Sequence, residues 1–146
     1  MGLLNQNGSD SSQLVFNDGT FPVFDTNGDY IGSDEWAPIL DNLRNGGSIR
    51  ETYLSFSTNG TAWMSALIGS NPTAANNIFQ YIKNELGFDG IDLDDEGGDF
   101  GPGSPVYTVA QAAAAQGLFI TAAPYQNQPE WQSWVDFVQS NGGTVA

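Results

Sequence analysis

The sequence predicts an α/β fold built from parallel βα repeats. Three observations carry the prediction. From Ile49 onward, apolar runs of strand length alternate with helical stretches, and the repeat of about thirty residues is that of a βαβ unit. Helix starts are marked by Asn71-Pro72, Pro105 and Pro129, and helix ends by Gly87, Gly117 and Gly142-Gly143, where proline and glycine favour those positions. The links between elements are short, as in a parallel sheet covered by helices.

Each element follows from local chemistry. Leu14–Phe16 and Phe21–Ile31 read as strands around turns at Asn17-Asp18-Gly19 and Asn27-Gly28. Asn-Gly between two such runs is a strong hairpin signal, because both residues tolerate positive φ. Ser33 can cap a helix from Asp34 to about Asn45, with Gly46 after it. Arg50–Ser57, with Tyr, Leu and Phe and no breaker, reads as a strand. A helix opens at Asn71-Pro72 and runs to Leu86, and Phe88–Asp94 is the next strand. A helix from Pro105 to Gln116, a strand Leu118–Ala123 and a helix from Pro129 to Val138 complete the series. Thr144-Val145-Ala146 reads as the start of one more strand. No linker interrupts the chain, so residues 1–146 read as a single domain. Two architectures fit: a doubly wound open sheet, or part of a (β/α)₈ barrel, which in full takes about 250 residues.

Composition narrows the chemistry. Lys and Arg number 3 against 17 Asp and Glu, a formal net charge of −14. Such a surface argues against nucleic acid and anionic membranes as partners and suits a neutral one such as a sugar polymer. No apolar stretch is long enough to span a membrane. Cys and His are absent, which excludes thiol chemistry, disulfides, the usual zinc sites and Ser-His-Asp triads. Acid–base chemistry therefore falls to Asp and Glu. No signal peptide is expected at Met1, because a charged segment and an apolar segment are both missing there.

One run concentrates those acids: Asp89-Gly90-Ile91-Asp92-Leu93-Asp94-Asp95-Glu96. In a strand, successive side chains point to opposite faces, so Asp92, Asp94 and Glu96 share one face while Ile91 and Leu93 take the other. Acids crowded in this way repel when ionised and compete for protons. Asp89 falls on the opposite face and reads as structural. A solvated loop, or a Ca²⁺ site before Gly97-Gly98-Asp99, is the plainer alternative.

The run resembles the DxxDxDxE signature of family 18 glycoside hydrolases, the chitinases and endo-β-N-acetylglucosaminidases built on a (β/α)₈ barrel. Asp89, Asp92, Asp94 and Glu96 fill its four acidic positions. Phe119-Ile120-Thr121-Ala122-Ala123-Pro124 resembles the strand that follows in that family, and Tyr53-Leu54-Ser55-Phe56 the start of its SxGG strand. The resemblance covers roughly residues 50–146. It implies a parallel βα fold of the TIM-barrel type, here an incomplete barrel with an N-terminal β-hairpin segment.

The resemblance also implies a mechanism without metal or cofactor. Glu96 would be the general acid at the leaving oxygen. The substrate's own N-acetyl carbonyl would attack the anomeric carbon, with net retention. Asp94 would orient the acetamido group, and Asp92 would lie deeper and share a proton with Asp94. Ser55, Trp63, Tyr125 and Gln126 are the candidate contacts to the sugar. The expected partner is chitin or an N-acetylglucosamine oligosaccharide, and the expected location is outside the cell.

The chain departs from the family at two places: Ser57-Thr58 stand where SxGG has its glycines, and Asp95 stands where a bulky residue usually precedes the acid. The family's substrate-positioning Tyr on its sixth strand and its aromatic floor on the eighth fall beyond Ala146, and Met1–Asn5 reads as the tail of a first strand. A partial barrel has open sheet edges, which invite a homo-oligomer. A non-catalytic chitin-binding partial barrel is the second reading, and a Ca²⁺-binding module the third. Asp25-Thr26-Asn27-Gly28-Asp29 resembles the start of an EF-hand loop, but Tyr30 and Trp36 occupy its sixth and twelfth positions, so a hairpin turn is expected. Trp131 and Trp134, three apart on one helix, are expected in the core, as is Trp36.

Overall fold

A computed structural model describes residues 2–6, 12–16, 21–47, 49–96, 100–123 and 128–145. The elements run in the order β1 (Gly2–Gln6), β2 (Gln13–Phe16), β3 (Phe21–Asp25), α1 (Trp36–Asn45), β4 (Tyr53–Ser57), α2 (Thr58–Ser70), α3 (Pro72–Asn84), β5 (Gly90–Asp94), α4 (Pro105–Ala115), β6 (Phe119–Ala122) and α5 (Gln128–Ser140). They form one mixed sheet of order β3-β2-β1-β4-β5-β6. The pairs β1–β4, β4–β5 and β5–β6 are parallel, while β1–β2 and β2–β3 are antiparallel. The α/β class and the N-terminal hairpin are therefore as expected. Among the described residues the sheet is open, with β3 and β6 at its edges, and does not close into a barrel.

The parallel strands alternate cleanly. Leu54, Phe56, Ile91, Leu93 and Ile120 are all at most 3% exposed and form the face toward the helices. Helix α2 packs on β1, β4 and β5, and α4 packs on β6, α2, α3 and α5. Fully burying an apolar side chain of this size contributes about 1.5–3 kcal/mol, so this layer is the main source of cohesion. Ser55, Asp92 and Thr121 project from the other face by alternation.

The helix ends obey the local signals. Asn71 accepts from the Ala74 N–H and Pro72 opens α3. Ser104 accepts from the Tyr107 N–H and Pro105 opens α4. Gly87 and Gly117 terminate with φ of 72° and 74°, the left-handed conformation that side chains disfavour. Helix α1 begins at Trp36 rather than Asp34. There the Ser33 side chain accepts from the Glu35 N–H and its carbonyl from the Trp36 N–H, so Asp34 and Glu35 form a turn before the helix.

Helix α2 is the element the sequence did not announce. Ser57 caps the helix by accepting from the Gly60 N–H at 3.1 Å. Gly60, Thr61, Trp63, Met64 and Leu67 are buried on α2. Two helices, not one, thus separate β4 from β5.

The N-terminal hairpin docks through aromatic rings. Tyr30 stacks on Tyr81 of α3 at 4.5 Å between centroids, and Phe24 meets both edge-on. The Asn27-Gly28 turn is as expected: Phe24 pairs antiparallel with Tyr30, and Gly28 lies against the Ala74 backbone with φ of 83°. Asp25 accepts from the N–H groups of Asn27 and Asp29 at 2.9 and 3.0 Å, so its carboxylate is engaged by its own turn. Trp134 is fully buried, and Trp131 packs on Phe100 at 4.3 Å. Trp36 packs on Phe16. Val145 bridges to Ile120 in parallel fashion, so the last described residues lie along β6.

Candidate active site

The three central strands are in register row by row. Tyr53, Gly90 and Phe119 form one row, and Ser55, Asp92 and Thr121 the next; Ser57 and Asp94 then pair across β4 and β5. All these residues sit on one face. The row containing Asp92 is polar on all three strands and nearly closed to solvent, with Ser55 2% and Asp92 6% exposed.

Burying a carboxylate is costly unless its oxygens are hydrogen-bonded. Both oxygens of Asp92 meet that condition. The Ser55 hydroxyl donates to Oδ2 at 3.1 Å, and the Thr121 hydroxyl donates to Oδ1 at 2.7 Å. Each donor comes from a neighbouring strand, so the carboxylate is clamped from both sides. Ser55, expected to contact the sugar, is thus tied to Asp92. Thr121 was not singled out by sequence; its place opposite Asp92 in the β5–β6 register is the signal that finds it.

Asp94 ends β5 and is half-buried. Asp95 is buried, 6% exposed, and Glu96 is exposed. The Glu96 N–H donates to Thr58 Oγ1 at 2.9 Å. Asp92 and Asp94 therefore share one face of β5, and Glu96 follows in the turn just beyond the strand's C-terminal end. Trp63 is buried in the core at 8% exposed, which supports packing rather than an open stacking face. Tyr125 and Gln126 lie outside the described residues, as do Gly97, Gly98 and Asp99.

Asp89 anchors the other end of the strands. Its Oδ2 accepts from the Thr52 N–H at 2.8 Å and from Arg44 Nη2 at 3.2 Å. It is structural, as its place off the acidic face implied. All three cations of the chain gather at this end. Arg44 holds Asp89 and Thr52, Arg50 precedes β4, and Lys83 donates to the Gln116 carbonyl just before β6. The end that carries Asp94 and Glu96 receives none of them, so its field is negative.

This chain matches no protein-family model, no curated protein and no solved structure. Among the described residues, no group of three or more acidic, His or Cys side chains is placed to hold a metal ion. No helix among them is long and apolar enough to cross a membrane. A cavity of about 500 Å³ lies elsewhere, between α1 and the start of β4, lined by Trp36, Leu40, Leu43, Tyr53 and Phe88 among others. It opens at the end of β4 opposite Ser57, so it is separate from the carboxylates.

The arrangement lends itself to acid–base chemistry. A hydrogen-bonded, buried carboxylate is followed on the same face by a partly exposed one, and a third stands in solvent just beyond the strand end.

Proposed function

We propose that the chain is a glycoside hydrolase of the family 18 type, a partial (β/α)₈ barrel acting on β-1,4-linked N-acetylglucosamine polymers such as chitin. The observation that carries this reading is the clamp on Asp92 by Ser55 and Thr121 beneath Asp94. It matches what substrate-assisted hydrolysis needs: one immobile acid, and above it one free to meet the substrate.

Glu96 protonates the leaving glycosidic oxygen. The acetamido carbonyl of the bound sugar attacks its own anomeric carbon, forming an oxazolinium ring, and water later opens that ring with retention. Asp94 accepts the acetamido N–H and stabilises the positive charge that develops there. Asp92, held by Ser55 and Thr121, lies beneath Asp94 on the same strand face. No cofactor or metal takes part. The negative field at this end favours a neutral or cationic glycan over an anionic one. A polymeric substrate of this kind puts the working protein outside the cell. The edge at β3, and the far side of β6 beyond the short Ile120–Val145 bridge, leave room for a second copy or further strands to complete the barrel.

The test is hydrolysis of a fluorogenic chitobiose or chitotriose glycoside by the folded chain, beside Glu96→Gln. Turnover that the substitution abolishes supports the reading. Binding of chito-oligosaccharide without turnover assigns the chain to the second reading, a non-catalytic chitin-binding partial barrel.

A further inference from the structure

We infer that Thr58 is a positioning residue for Glu96, a role that rests on the hydrolase reading above. The β4–β5 ladder ends at Ser57 and Asp94. Beyond that point β4 has already turned into α2, so it offers β5 no further strand carbonyl. Glu96 follows in the turn just beyond the end of the ladder. The Thr58 side chain supplies the missing acceptor: its Oγ1 takes the Glu96 N–H at 2.9 Å across 38 residues of sequence. A hydroxyl oxygen thus stands in for a backbone carbonyl and lengthens the pairing by one step.

The residue type is informative. The resemblance calls for glycine here, and glycine has no acceptor to offer. The neighbouring Ser57 is also used, as the cap of α2. Both departures from glycine therefore make hydrogen bonds that glycine side chains are unable to make. Thr58 is the first residue of α2, and α2 is packed against β1, β4, β5 and α4, so the anchor is rigid. An acid whose backbone N–H is anchored keeps its carboxyl nearer one position, and general-acid transfer depends steeply on that position.

The test compares Thr58→Val, which keeps the shape without the acceptor, with Thr58→Ser, which keeps the acceptor. Turnover of the fluorogenic chitobiose glycoside and hydrogen exchange of the Glu96 amide are read on the full chain. The expected result is a kcat lower by about 10- to 100-fold in Thr58→Val with KM nearly unchanged, since misplacing a catalytic group by about 1 Å costs on that order. The Glu96 amide exchanges faster in that variant, and Thr58→Ser returns both readouts toward the wild type. Unchanged kcat in Thr58→Val overturns the positioning role while leaving the hydrolase reading intact. A loss in Thr58→Ser as large as in Thr58→Val overturns it as well, because the hydroxyl is then not the reason. An inactive wild-type chain overturns the hydrolase reading, and the positioning role goes with it.

Discussion

Gly90→Ala tests the row of side chains on which the carboxylates rest. Gly90 pairs with Tyr53 on β4 and with Phe119 on β6. A Cβ at Gly90 lies 2.6 Å from Tyr53 Cε1 and 2.7 Å from Tyr53 Cδ1, and nearer still to the Phe119 carbonyl oxygen. Carbon atoms in good contact stand about 3.5–4.0 Å apart, so the overlap with the ring is about 1 Å. The ring can swing aside, but the carbonyl is held in the sheet. Overpacking of this kind costs about 1–3 kcal/mol. Stiffening the unfolded chain returns about 0.4–1 kcal/mol, leaving a net loss of about 1–2 kcal/mol. For a chain of 146 residues that lowers Tm by about 3–7 °C. Thermal unfolding followed by circular dichroism reads the shift. A second arm uses Tyr53→Ala as background, where Gly90→Ala is expected to cost less by about 1 kcal/mol, because half of the clash has been removed. If Gly90→Ala melts with the wild type, or costs the same in both backgrounds, Tyr53 does not lie over Gly90 and the row is misdrawn.

Two further outcomes are expected. Thr61 is fully buried on α2, and its Oγ1 has no hydrogen-bond partner among the described residues; Thr61→Val should raise stability by about 1 kcal/mol, read as a higher urea midpoint at unchanged slope. Burial, the charge on Tyr81 and then that on Asp34 push the Tyr30 phenol up to about 12, while burial, the Glu51 hydrogen bond and nearby acids push Tyr53 to about 12, from an ordinary 10.0. The folded chain then keeps protons that the unfolded chain releases from pH 10 upward, so their contribution is whole below pH 10 and is lost as the pH climbs to about 12. Urea unfolding across that range should show the decline, and Tyr53→Phe should flatten part of it.

How much of this was legible in the sequence depended on the kind of signal. Asn71-Pro72, Ser104-Pro105, Gly87 and Gly117 act within a few residues of themselves, so α3 and α4 were placed nearly to the residue. Alternation along Ile91–Asp94 fixed the two faces of β5. Helix α2 escaped because its first turn is written in residues that also make loops, and because burial of Trp63, Met64 and Leu67 against neighbouring elements, a tertiary effect, holds it together. The site divided in the same way. Asp92 and Asp94 were visible as acids of equal parity on one strand. Ser55 was visible but took a different partner; Thr58 was visible only as a departure from the family's glycines, and Thr121 not at all, because its importance lies in register between strands. No local pattern encodes which residue of β6 faces which residue of β5.

The strict alternation of β5 has a consequence for assembly of the fold. Sliding β5 by a single position would turn Asp92 and Asp94 toward the apolar layer and away from the hydroxyls of Ser55 and Thr121 that hold Asp92, and would turn Ile91 and Leu93 away from the core. Both exchanges are unfavourable, and they occur together. The acids therefore proofread the strand that carries them: a mispaired β5 is penalised twice before any substrate is met. The acidic run thus also acts as an alignment mark, and a variant that neutralises Asp92 and Asp94 would loosen the sheet's choice of pairing.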